Sequence, residues 1–207
     1  MRKYLYLILF IFLSCKTSVE PLEHVYVTEH HQEKLKEFEK DNNKYKVLFM
    51  GDSITEGGYF ENVVPNSKNV AIGGDYIYCV NFVIPYVKKY QPEKIYLMIG
   101  VNSLRDFSLE ECKKQYKELL VYLLKNFPET QIILESVLPV FINYQPINNF
   151  NEYIKQLACE FNLRYLDLYP LFAVNEVLPA NLTIDGLHLS PDGYKIWYKA
   201  LEKEIRE

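Results

Sequence analysis

The chain has 207 residues, of which 49% are hydrophobic, and a formal net charge of −4. That length is the natural size of one domain, with enough apolar residues for a sizeable core. A mildly acidic chain without a basic stripe argues against nucleic acid as the partner.

The first residues stand apart from the rest. Met1-Arg2-Lys3 is a short positive region, the run from Tyr4 to Leu13 is apolar, and Ser14-Cys15 follows. This reads as a secretory signal peptide over 1–14; the apolar run is too short for an ordinary membrane span of about 20 residues. Phe12-Leu13-Ser14-Cys15 resembles a bacterial lipoprotein box, with Cys15 as the lipidated first residue, although Phe12 stands where leucine is usual. A plain signal peptide and an uncleaved anchor are the alternatives. The expectation is an exported protein of the cell envelope that meets the membrane only through an N-terminal lipid anchor. Loss of Arg2 and Lys3 with this segment takes the charge from −4 to −6. Residues 15–27 are polar, contain Pro21 and lack a clear period, which reads as a tether before a single domain over 28–207.

From Thr28 a helix is expected, with His31, Leu35 and Phe38 on one face. Strand and helix then alternate. Strands are expected at Lys46–Met50, Asn69–Ile72, Ile95–Ile99, within Gln131–Val140, and at Arg164–Tyr169. Residues 76–90 form one helix, bent near Pro85. Ser108 with Glu111 is a capping box ahead of a helix carrying Leu109, Cys112, Tyr116, Leu119 and Leu123. A helix over 147–162 aligns Phe150, Ile154, Leu157 and Phe161. Ser190-Pro191 supplies an N-cap and a first-turn proline for the last helix, which presents Tyr194, Trp197, Tyr198, Leu201 and Ile205. Cys79, Cys112 and Cys159 show no metal-binding spacing. Cys112 and Cys159 fall on apolar helix stripes, which reads as core packing; a disulfide would leave one thiol over. Alternating strands and helices imply an α/β fold with a parallel sheet covered on both faces, and sites in such sheets form at the carboxyl ends of strands.

Four segments sit at such ends. Gly51-Asp52-Ser53-Ile54 follows the first strand and places a serine hydroxyl just beyond it. Serine needs a base to become a nucleophile, and a helix N-cap is the bland reading. His24, His30 and His31 lie near the N-terminus, so His188 is the one histidine in the main α/β pattern. Asp185, three residues before it, can hold the imidazole tautomer; an incidental surface pair is the alternative, and Asp-x-x-His lacks an obvious third zinc ligand. Gly73-Gly74-Asp75 and Gly100-Val101-Asn102 can each offer a hydrogen-bond donor to an oxyanion, or can be ordinary turns. No GxGxxG or Walker motif is present.

Taken together, in this order, the four blocks resemble the SGNH or GDSL-type serine esterase/lipase superfamily. Gly51-Asp52-Ser53-Ile54, Gly73-Gly74-Asp75, Gly100-Val101-Asn102 and Asp185-Gly186-Leu187-His188 match its blocks over residues 46–190. The resemblance implies a flavodoxin-like three-layer α/β/α sandwich, with a five-stranded parallel sheet of order 2-1-3-4-5. It implies Ser53 as nucleophile, His188 as base, Asp185 as orienting carboxylate, and an oxyanion hole from the Ser53 and Gly74 N–H groups and the Asn102 side chain, with Asp52 in support. No metal or organic cofactor is implied. Many members carry Asp where this chain has Ser103, so the local turn is expected to differ. The Gly-x-Ser-x-Gly elbow of α/β-hydrolases is absent. Short connections leave little sequence for a lid, which favours an open site and a short acyl group, such as acetyl, on a carbohydrate or lipid ester. Tyr59, Phe60, Leu138 and Tyr144 are the expected pocket residues. The competing readings are a lysophospholipase or thioesterase, an O-acyltransferase using the same residues, and a binding lipoprotein without turnover.

Overall fold

The structure, a computed structural model, describes residues 27–206. The expected signal peptide, Cys15 with its lipidation, and all but the last residue of the tether lie outside the described residues. Five strands, β1 (Val47–Gly51), β2 (Ser67–Asn69), β3 (Lys94–Met98), β4 (Gln131–Glu135) and β5 (Arg164–Leu166), pair in parallel as one sheet of order β2-β1-β3-β4-β5. This is the expected order. Among the described residues eight α-helices accompany them: α1 (Glu29–Lys40), α2 (Ser53–Glu56), α3 (Val80–Val87), α4 (Val101–Asp106), α5 (Leu109–Asn126), α6 (Gln145–Glu160), α7 (Tyr169–Phe172) and α8 (Pro191–Arg206).

The apolar strand sequences follow from cover on both faces. Every residue of β1 is buried, as a parallel strand between two helical layers requires. Alternate side chains point to opposite layers. Phe49 of β1 stacks on its register partner Tyr96 (5.0 Å between centroids) and on Phe60 (4.1 Å), and Phe60 meets Trp197 of α8 edge-on at 5.0 Å. On the other face α1 packs on α3, α3 on α5 and α5 on α6, with Tyr116 of α5 edge-on to Phe150 of α6 at 5.4 Å.

Several elements differ from the sequence expectation, and the ends of β2 and β5 do so through a polar side chain. β2 ends at Asn69, whose side chain donates to the Thr55 and Gly58 carbonyls (2.7 and 2.9 Å) and accepts the Ala71 N–H (3.1 Å). Beyond it only Val70 and Ile72 still donate to β1, at Phe49 and Gly51. β5 ends at Leu166 because the Leu168 and Tyr169 N–H groups both turn to Ser136 Oγ (2.8 and 2.7 Å). The helix expected over 76–90 is three pieces: a 3-10 turn at Ile77–Cys79, α3 with Pro85 inside it, and a 3-10 turn at Lys88–Tyr90. Cys112 is buried as expected, but Cys159 is exposed, with Leu157 and Ala158 taking the inward positions of α6. Cys79, Cys112 and Cys159 are all free thiols.

A buried carboxyl lies under α8. Glu135 ends β4 with no exposure and accepts the Trp197 indole N–H at 2.9 Å. Burial pushes it up to about 8, with the nearby Glu204 adding in the same direction. Glu204 itself accepts the Tyr96 hydroxyl and pairs with Arg164 at 2.9 Å. The native state therefore keeps a proton that the unfolded chain releases near 4.5. This stabilising contribution is complete below about 4.5 and is lost as pH rises through about 8. Glu135→Gln keeps the acceptor without the titration. Thermal melts should show wild type losing stability relative to the variant as pH rises across that window; a pH-independent difference would contradict this account. At the end of β3, Gly100 has φ +148°, and an added Cβ would lie 2.7 Å from the Phe150 ring. Gly100→Ala should cost about 1–3 kcal/mol in urea unfolding, through backbone strain and overpacking together.

Candidate active site

β1 and β3 end level, with Gly51 opposite Met98. A Cβ at Gly51 would sit 2.2 Å from the Met98 carbonyl oxygen, so glycine is required for the strands to run this close. The chain then enters α2. Asp52 is buried and caps this short helix by accepting the Ile54 N–H at 3.0 Å. Burial pushes the Asp52 carboxyl up to about 7; the Asp75 charge adds to this, while the Ile54 and Gly100 N–H groups and His188 oppose it. Ser53 follows as the first helical residue, its side chain just past the strand.

The Ser53 hydroxyl lies 2.9 Å from His188 Nε2, and His188 Nδ1 lies 2.6 Å from Asp185 Oδ2. The other oxygen of Asp185 accepts the Leu187 and His188 N–H groups at 3.0 and 2.8 Å. The His188 side chain, with those two backbone donors, holds the Asp185 carboxyl down at about 2. It is ionised at any pH near neutrality. Thr183 shapes this turn: its hydroxyl accepts the Gly186 N–H (2.8 Å) and donates to the His188 carbonyl (2.7 Å). Gly186 has φ +91°, and the Phe141 ring occupies the place of its absent side chain. A hydroxyl, an imidazole and an ionised carboxylate in series can transfer the serine proton to nitrogen and stabilise the resulting imidazolium.

The loop at 73–75 adjoins the serine. A Cβ at Gly73 would lie 3.6 Å from Ser53 Cβ. Gly74 has φ +83° and open space beside it. Asn102, buried in the first turn of α4, donates one amide hydrogen to the Asp75 carbonyl at 3.0 Å; a primary amide has a second to offer. Ser103, where the sequence departs from the pattern, is fully buried and accepts the Ile77 N–H at 2.9 Å. It ties the 3-10 turn after the glycine loop to α4.

The structure thus brings Ser53, His188 and Asp185 into direct contact, sets Gly74 on the adjoining loop and Asn102 in the first turn of α4 beside it, and buries Asp52 next to Ser53. Two expected pocket residues are corrected. Phe60 and Leu138 are buried, Phe60 within the aromatic stack under α8. Tyr59 is exposed. Tyr144 does line a cavity of about 400 Å³ beside the site, together with Asn102, Arg105, Phe141, Asp185 and Leu187. Arg105 and Phe141 carried no sequence signal, since nothing in their spacing relates them to the blocks. The sequence places His31 on the apolar face of the first helix; in the structure it is buried against Asp75. Among the described residues no group of three or more His, Cys, Asp or Glu side chains is placed to hold a metal ion.

Known proteins resemble this chain in sequence and in fold. A multidomain esterase of Ruminococcus flavefaciens is 28% identical over 135 residues, 58% of this chain but only 17% of that protein. A GDSL-like lipase of Bacteroides thetaiotaomicron has the same fold, with a TM-score of 0.69 at 20% identity over 85% of this chain and 97% of the other. A variant of a Geobacillus acetyl-xylooligosaccharide esterase superposes with a TM-score of 0.63 at 23% identity, over 79% and 95% of the two chains. Residues 49–196 match the GDSL-like lipase/acylhydrolase family, and the chain belongs to that family.

Proposed function

We propose that the protein removes a short acyl group, acetyl first among them, from a carbohydrate or lipid ester by way of a serine acyl-enzyme. The observation that carries this reading is the unbroken chain Ser53–His188–Asp185, with links of 2.9 and 2.6 Å. His188 Nε2 takes the Ser53 proton as Oγ attacks the ester carbonyl. Asp185 orients His188 and stabilises its charged form. The Ser53 and Gly74 N–H groups and the free hydrogen of the Asn102 amide hold the oxyanion. His188 returns the proton to the leaving alcohol, then activates the water that releases the acid. Preference for a small acyl group on a sugar is supported by the cavity beside Asn102 and Asp185. Its volume of about 400 Å³, with Phe141 and Tyr144 in its wall, accommodates a sugar ring against aromatic faces. The acetyl-xylooligosaccharide esterase noted above shares the fold and acts on a substrate of that class.

The test is a series of p-nitrophenyl esters from acetate to octanoate, with acetylated xylo-oligosaccharides alongside. Wild type should favour acetate and release acetate from the sugars. Ser53→Ala should lower kcat by about 10⁴-fold or more, and Asp185→Asn by about 10²–10⁴-fold, with little change in KM. Activity that survives in Ser53→Ala, or a preference for octanoate, would overturn the reading.

We also propose that the protein is exported and anchored to the envelope through a lipid on Cys15, from the motif at residues 12–15. Cells fed labelled palmitate should label the wild-type protein and not Cys15→Ala; equal labelling of both would refute it.

A further inference from the structure

The helix α1 lies wholly before residues 49–196, where the family match falls, yet two of its side chains bear on the glycine loop, His31 directly and His30 through Glu56. His31 is completely buried, with Nδ1 at 2.7 Å from Asp75 Oδ1. The Asp75 carbonyl is the acceptor of the Asn102 amide at 3.0 Å. At the other end of the loop, Glu56 Oε2 accepts the Gly73 N–H at 2.7 Å, and the same carboxylate is met by His30 Nε2 at 2.9 and 3.0 Å. Gly74, with φ +83° and nothing within 4 Å of its absent side chain, sits between these two holds. Its neighbours, not its own packing, therefore set where its N–H points.

We propose that His31 is a positioning residue for the oxyanion hole: through Asp75 it fixes both the Gly74 N–H and the Asn102 amide. The inference rests on the serine mechanism proposed above. Its physical basis is that oxyanion donors act by being held in place before charge develops. The His31–Asp75 pair is dry, so its hydrogen bond is not exchanged for water. Asp75 passes the constraint to two donors at once, by its place in the chain next to Gly74 and by its carbonyl to Asn102. Removing the pair frees a loop whose central residue is a glycine. A displacement of about 1 Å at a catalytic group can cost 10²-fold in rate.

The experiment measures kcat and KM on p-nitrophenyl acetate for wild type, His31→Leu, His31→Asn and Ser53→Ala, with thermal melts on each. Leucine fills much of the imidazole's volume without a donor; asparagine can place an amide nitrogen near the position of Nδ1. His31→Leu should lose about 10- to 100-fold in kcat with KM changed less than about 2-fold. His31→Asn should recover most of that loss. The rate of Ser53 phosphorylation by paraoxon, whose phosphoryl oxygen occupies the oxyanion hole, should follow kcat across the series. A second pair, Asp75→Val and Asp75→Asn, reads the same link from its other end where a His31 variant does not fold. Wild-type kcat in folded His31→Leu or Asp75→Val, or no recovery in the asparagine variants, would overturn the role of His31. Full activity in Ser53→Ala would instead overturn the mechanism on which it rests, so the two failures are separable.

Discussion

Level, closely spaced ends of β1 and β3 underlie the rest of the site. Gly51 faces Met98 across the parallel ladder, at a separation that leaves no space for a side chain on Gly51. From these two ends the chain turns into α2 and α4, bringing Ser53 and Asn102 out on the same edge of the sheet. β2 is in register through Phe49 and Asn69, so the loop carrying Gly74 emerges beside them. A parallel sheet delivers all its carboxyl ends to one edge. Three of the four blocks reach the site in this way. The fourth, from Asp185 to His188, comes from a turn braced by Thr183 and faces Ser53 from the far side of the chain.

Such a site places charge close to an apolar core, and the molecule handles each carboxyl differently. Asp185 stays in partial contact with solvent and is surrounded by donors, so it is held at about 2 and ionised. Asp52, one residue from the serine, is buried and raised to about 7, with two backbone N–H groups as its support. Glu135 has only the Trp197 indole and is raised further. The gradient follows the number of donors and the access of water, the two quantities that set the cost of an ionised oxygen. The carboxylate that needs a charge in the proposed chemistry is the one with the most donors and the least burial.

The two helical layers contribute unequally. α8 closes one face with Trp197 and the aromatic stack of Phe49, Phe60 and Tyr96, and Tyr194 reaches across to the Ile54 carbonyl at 2.8 Å, just under α2. On the opposite face α1 rests on α3. From there His31 reaches Asp75 in the loop after β2, and His30 reaches Glu56 at the end of α2. An element with no strand of its own can still determine the geometry of a site when its buried polar side chain has one partner and no water to replace it.

The alternation of apolar runs with amphipathic helices points to a parallel sheet, the resemblance carried by the four blocks implies its strand order, and the same blocks single out Ser53, Gly74, Asn102, Asp185 and His188 as candidates. Those signals are local: period, caps, and short motifs at strand ends. Tertiary structure alone decided where β2 and β5 stop, because Asn69 and Ser136 spend their hydrogen bonds on segments distant in sequence. It also decided that Phe60 belongs to the core and not to the pocket, that Cys159 faces solvent, and that His31 meets Asp75 across 44 positions. A side chain's place on a helix or strand is set by neighbours three or four residues away, which a sequence displays. Its partner across the fold is set by which surfaces pack together, and the chain reveals that only once it is folded.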